Sequence, residues 1–120
     1  MRATLYGIPN CDQVKKARAW LSEGQHDIDF HDFKKAGIDR LTISAWMRTV
    51  SWEVLLNRKG TTWRGLTDER KAGIIDATTA TDLMLELPSI IKRPVLVLPS
   101  QTVVGFSDDL YQSLFKKSHE

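Results

Sequence analysis

Gly7-Ile8-Pro9-Asn10-Cys11-Asp12, with Lys15 and Lys16 one turn further on, joins the short strand pattern Thr4-Leu5-Tyr6 to a helical pattern. It carries the single cysteine of a chain of 120 residues. A cysteine at a helix start meets unpaired backbone N–H groups and the positive end of the helix dipole, which favour thiolate over thiol. Lys15, four residues on, projects from the same face and adds a positive charge. These are the conditions that lower a cysteine pKa and make its sulfur a nucleophile. A lone cysteine can also be a small buried hydrophobe. The preceding Pro-Asn and the strand–turn–helix setting favour a working thiol here.

Working outward, Val14, Ala17 and Leu21 recur at helical spacing over residues 12–22, with Trp20 beside them. Gly24 is expected to close that helix in a left-handed cap. Residues 27–33 alternate, Ile28 and Phe30 against Asp29 and His31, which predicts a half-buried strand. Residues 34–37 read as a polar turn.

Short helices are expected next. Thr42 would cap one carrying Ile43, Trp46, Met47 and Val50, and Ser51 would start another with Trp52, Val54 and Leu55. Asn57-Arg58-Lys59-Gly60 and Thr61-Thr62-Trp63-Arg64-Gly65 read as loop. Thr67 opens a charged helix over 68–73, and Thr79 with Asp82 resembles a capping box before Leu83, Met84 and Leu87. Pro88 stops it. The apolar run 95–98 suits a central strand, and 102–104 pairs with it as a hairpin. Ser107 caps a last helix with Leu110, Tyr111, Leu114 and Phe115 on one face and Lys116 and Lys117 in its final turn.

Without its middle, this order is the thioredoxin plan: an α/β fold of a βαβ unit followed by a ββα unit on a mixed four-stranded sheet. Residues 1–120 are expected to form one domain. Residues 1–35 and 90–120 would be the thioredoxin-like core, and 36–89 an inserted helical subdomain. The insertion has few apolar residues for a core of its own and is expected to pack on the sheet edge.

Composition sets the outer bounds. Seventeen basic and fifteen acidic residues give a net charge of only +2, so no nucleic-acid or membrane partner is expected. The apolar runs are too short to span a bilayer, and no signal-peptide pattern opens the chain. One cysteine cannot form an internal disulfide, and His26, His31 and His119 are scattered, so neither zinc nor another metal is expected. A reducing cytoplasm is the expected compartment, and a monomer the expected state.

The chemistry follows from counting. A thioredoxin uses Cys-x-x-Cys, whose second thiol resolves the mixed disulfide formed by the first. Here the motif is Cys11-Asp12-Gln13-Val14. If Cys11 is catalytic, its cycle must be completed by an outside thiol, for which glutathione is the abundant cytoplasmic candidate. Arg58 sits in a loop directly after a helix, and Arg93 directly precedes Pro94 at a strand start. In a thioredoxin fold the residue before that proline faces the thiol, and the proline is cis. Arginine's planar, permanently charged fork matches carboxylates and oxyanions. Trp20 and Trp46 fall on apolar helical faces. Trp52 and Trp63 flank the Arg58 loop, where packing is the favoured role and a pocket wall the other. His31 is expected on the strand surface.

With these residues in view, the chain resembles the thioredoxin-like arsenate reductase (ArsC) family, which includes the Spx regulators. It is most similar to the YffB branch, described as glutathione-dependent thiol reductases. The likeness is carried by Leu5-Tyr6-Gly7-Ile8, Asn10-Cys11-Asp12, Lys15-Lys16-Ala17-Arg18, Leu55-Leu56-Asn57-Arg58, Gly60-Thr61-Thr62-Trp63-Arg64, Pro88-Ser89-Ile90-Ile91-Lys92-Arg93-Pro94-Val95 and Val104-Gly105-Phe106. The resemblance implies Cys11 as nucleophile, cis Pro94, and Arg58 and Arg93 binding an anion or glutathione, with Asn10 and Lys15 at the same site. No bound cofactor is implied; glutathione would be co-substrate and glutaredoxin a possible partner. Two departures stand out. Arsenate reductases linked to glutaredoxin carry a further arginine after the last strand, where this chain reads Gly105-Phe106-Ser107, and the Spx branch typically has Cys-x-x-Cys. The alternative the resemblance allows is an Spx-like regulator that binds RNA polymerase or another protein without catalysis.

Overall fold

In the computed structural model, which describes residues 2–116, four strands form one mixed sheet in the order β2-β1-β3-β4. β1 (Arg2–Gly7) runs parallel to β2 (Asp27–Asp32) and antiparallel to β3 (Val95–Val97), which pairs antiparallel with β4 (Thr102–Val104). α1 (Asp12–Glu23) connects β1 to β2, and α8 (Asp108–Lys116) follows β4. This is the thioredoxin-like βαβ plus ββα arrangement. Between its halves lie α2 (Phe33–Ala36), α3 (Arg40–Trp46), α4 (Trp52–Leu55), α5 (Thr61–Arg64), α6 (Asp68–Ala72), α7 (Ala77–Glu86) and a 3₁₀ turn (Pro88–Ile90). Lys117 and His119 lie outside the described residues. Among the described residues no helix is long and apolar enough to cross a membrane.

The pleat of β1 and β3 sends apolar side chains to both faces of the sheet, so both must be covered. Ala3, Leu5, Leu96 and Leu98 pack with Ala17 and Leu21 of α1 and with Tyr111 and Phe115 of α8. Tyr6, Val95, Val97 and Val104 face the other way, into a second cluster built on Phe33, Ile43, Trp46, Leu55, Leu83, Met84 and Ile90. The middle of the chain therefore packs on a face of the sheet rather than on its edge. The reason is that Val95 and Val97 need a cover and the insertion needs a floor.

α1 seats unusually close to β1. Val14 is fully buried, and a Cβ on Gly7 would come within 2.7 Å of its Cγ2 atom. The end of α1 differs by one residue from the expectation. Gly24 has right-handed backbone (φ −79°), and the left-handed residue is Gln25 (φ 56°). The N–H groups of Gln25 and His26 donate to the carbonyls of Ser22 and Leu21 at 3.0 and 3.1 Å, a complete Schellman motif whose turn residue is one past the glycine.

The other differences concern caps. Asp39, not Thr42, caps α3, accepting from the Thr42 N–H at 2.8 Å. Asp76, not Thr79, caps α7, in a reciprocal box where Thr79 is the third helical residue. Asp32 accepts from Lys34 and Lys35 N–H, turning the expected polar turn into α2. Aspartate outranks threonine as an N-cap, and in each case one lay within three residues upstream. Residues 61–64 also form a helix, α5, against the loop expectation. The Ser51, Thr67 and Ser107 caps form as expected, at 3.1 Å each.

Two substitutions test this scaffold by thermal or urea melting. Gly7→Ala should cost on the order of 1–3 kcal/mol through overpacking, and adding Val14→Ala should recover part of it; unchanged stability would mean that α1 can ride up from β1 at no cost. Gln25→Gly should gain about 1 kcal/mol by relieving left-handed strain, with a lower melting temperature counting against the cap geometry.

Candidate active site

Cys11 is the N-cap of α1, with extended backbone (φ −77°, ψ 129°). Its carbonyl accepts the first helical bond, from the Lys15 N–H at 2.9 Å, and its own N–H donates to the Ile8 carbonyl at 3.1 Å. The Ile8-Pro9-Asn10 turn thus delivers the sulfur to the end of β1 in a fixed orientation, half-buried and as a free thiol. Asn10 stands exposed on the turn, and Lys15 is exposed one helical turn away.

Arg93 lies close enough to this sulfur to act on it as hydrogen-bond donor and as charge. The Arg93–Pro94 bond is cis, and Pro94 is pinned at its carbonyl by the Gly105 N–H at 2.8 Å. One guanidinium nitrogen of Arg93, Nη1, donates to the Ser89 carbonyl at 2.8 Å. Its Nε is buried without a hydrogen-bond partner among the described residues. Burial alone would push the Cys11 thiol up. The Val14 N–H, the Arg93 guanidinium as hydrogen-bond donor and charge, and the Gln13 N–H together outweigh it, and the thiol falls below its ordinary value. The helix-start backbone and one arginine therefore do what the sequence assigned to the helix start and to Lys15.

Arg58 is placed differently. An isolated bridge pairs Leu56 with Ile91, and the Asn57 N–H donates to the Ile90 carbonyl at 2.9 Å. The loop carrying Arg58 is held alongside Ser89 by a 2.9 Å hydrogen bond between the Thr62 and Ser89 hydroxyls. The guanidinium carbon of Arg58 lies 5.7 Å from the ring centre of Trp52 and 5.6 Å from that of Trp63. Both tryptophans also pack against the insertion's core. Sequence reading favoured packing for them over a pocket wall; their positions six residues before and five after Arg58 were the available signal. The structure thus joins Cys11, Arg93 and Pro94 directly, with Asn10 and Lys15 at the rim and Arg58 on the neighbouring loop.

His31 is not a free surface residue. Its ring lies tilted against that of Tyr6, with centroids 4.8 Å apart, and its Nε2 lies 2.8 Å from the Gly37 carbonyl, to which it donates. Among the described residues there is no group of three or more His, Cys, Asp or Glu side chains able to hold a metal ion.

A thioredoxin-like sheet with one activated N-cap thiol facing an arginine before a cis proline defines a class of single-cysteine thiol proteins. The ArsC family model matches residues 6–114, and the chain belongs to that family. The solved YffB protein is 49% identical, with a TM-score of 0.87 over 92% of this chain and 96% of its own. An arsenate reductase (ArsC) related protein from Brucella melitensis is 47% identical, with a TM-score of 0.75 over 97% and 96%. The global transcriptional regulator Spx of Streptococcus pyogenes is 23% identical over 97% of this chain and 87% of Spx.

The pH dependence of the thiol follows. With its pKa lowered, Cys11 should be alkylated by iodoacetamide with a midpoint below that of free cysteine, and Arg93→Ala should move that midpoint upward. By linkage, the thiolate's stabilisation is full above the free-thiol pKa and is lost as pH falls through the folded one. A parent profile matching free cysteine would refute this account of the site.

Proposed function

We propose that this protein is a cytoplasmic, monomeric, monothiol reductase that uses glutathione to reduce disulfides. The observation that carries the reading is the Arg93 guanidinium set against a half-buried Cys11 sulfur at a helix start, with fully buried Val14 where a resolving thiol would stand. The Cys11 thiolate attacks one sulfur of a disulfide R–S–S–R′, forming Cys11–S–S–R and releasing R′S⁻, which takes up a proton. A glutathione thiolate then attacks the Cys11 sulfur, expels RS⁻ and leaves Cys11–S–S–glutathione. A second glutathione, or glutaredoxin, attacks the glutathione sulfur and returns the Cys11 thiolate. With glutathione alone, two molecules are oxidised to one disulfide for each substrate disulfide reduced.

Arg93 and Arg58 bind the anionic groups of glutathione or substrate, with Asn10, Lys15 and Pro94 lining the approach. Gly105-Phe106-Ser107 supplies no further arginine, which favours organic disulfides over arsenate. The second reading, a regulator that binds RNA polymerase or another protein with Cys11 idle, draws on the likeness to Spx across nearly the whole chain. The lowered thiol pKa weighs against an idle cysteine.

Intact mass spectrometry separates the two. Glutathione disulfide should add one glutathione per chain with no internal disulfide, and excess glutathione or glutaredoxin should release it. Arg93→Ala should slow the addition roughly tenfold, the effect of losing one charge-assisted hydrogen bond. Val14→Cys should expel the glutathione and accumulate an internal disulfide instead, because residues three apart at a helix start can bring their sulfurs together. A parent that stays unmodified at mildly alkaline pH would end the reductase reading and leave the partner-binding one.

A further inference from the structure

The arginines of this chain differ in what holds them. Arg2, Arg40 and Arg70 are each paired with a carboxylate, at 2.6–3.0 Å. Arg58 has no such partner among the described residues. Its guanidinium instead lies over the indoles of Trp52 and Trp63, within 6 Å of both ring centres. An indole face attracts the cation but offers no acceptor in the plane of its N–H groups. The side chain is thereby oriented while its donors stay unclaimed, and it remains exposed. A carboxylate partner would also have oriented it, but would have occupied those donors.

The tryptophans come from two different short helices, α4 and α5. α5 is tied through the Thr62–Ser89 hydrogen bond to the residue whose carbonyl holds Arg93. The clamp is therefore anchored to the same frame as the thiol's own arginine. We propose that Trp52 and Trp63 are positioning residues that hold Arg58 as an open fork for a carboxylate of the peptide substrate, so that the site selects thiol peptides by their ionised carboxylates. This rests on the glutathione reading of the site. A planar fork accepts both oxygens of a carboxylate at once, which a lysine ammonium at the same place cannot do.

The test uses S-methylglutathione, which has no free thiol, and its dimethyl ester, with binding to the full-length protein followed by calorimetry. The ester lacks both carboxylates, so the parent should bind the acid at least about tenfold more tightly, with Arg58 contributing one charge-assisted hydrogen-bonded pair of that difference. Trp63→Leu and Trp52→Leu keep apolar volume but lose the aromatic face, and each should narrow that ratio about threefold to fivefold. Trp63→Phe and Trp52→Phe should retain most of it, a rescue that mere packing would not distinguish from leucine. Arg58→Lys should behave like Arg58→Ala. Folded leucine variants that discriminate like the parent would overturn the proposal, as would a parent that binds acid and ester equally. Should the leucine variants fail to fold, tryptophan emission decides. Arg58→Ala should change it, and identical spectra would show that no clamp exists. Because S-methylglutathione requires no chemistry at Cys11, an inert thiol would sink the reductase reading and still leave this ratio to be read.

Discussion

The contact between Val14 and the bare Cα of Gly7 sets the geometry of everything around the thiol. β1 ends at Gly7, α1 begins at Asp12, and four residues must turn the chain between them. That turn can be so short only because the helix lies almost on the strand, where a side chain on residue 7 would collide with Val14. The same closeness brings the first N–H groups of α1 toward the Cys11 sulfur at the end of the sheet. The position at which a dithiol protein keeps its second cysteine is here given to packing. Val14, buried against Gly7, stands in that place.

Around the sulfur, burial and charge pull in opposite directions. Desolvation is the largest single influence on Cys11 and favours the neutral thiol; two backbone N–H groups and Arg93 reverse it. The balance includes Arg93 both as hydrogen-bond donor and as charge, so it depends on Arg93 being fixed in place. The cis Pro94 linkage, the Gly105 N–H on the Pro94 carbonyl and the Ser89 carbonyl on Nη1 do that. Arg93 is held by main chain throughout, so its orientation does not depend on neighbouring side-chain rotamers.

Much of this was legible in the residues. The strand–turn–helix around Cys11, the arginine before Pro94 and the order of elements follow from local pattern and local chemistry. What was not legible depended on distance in the chain. The two-sided character of β3 appears in Val95, Leu96 and Val97, but which segment covers each face is decided by the fold. The helix starts at Asp39 and Asp76 were missed because a threonine nearer the apolar run also suits a cap, and only the competition between the two resolves the start. Trp52 and Trp63 each look like core residues. Their relation to Arg58 arises only when α4 and α5 fold back against the same loop.

Ser89 is a small residue with two obligations. Its carbonyl holds Arg93, and its hydroxyl meets Thr62 at the start of α5. The charge that favours the thiolate and the loop that presents Arg58 are therefore attached to a common post. Energetic coupling of this kind runs both ways. If the proposed function holds, a ligand on the Arg58 loop that displaced Ser89 would also change the acidity of Cys11, and the effect would be reciprocal. In that case a site with one sulfur would register an occupied neighbour before any bond to sulfur is made.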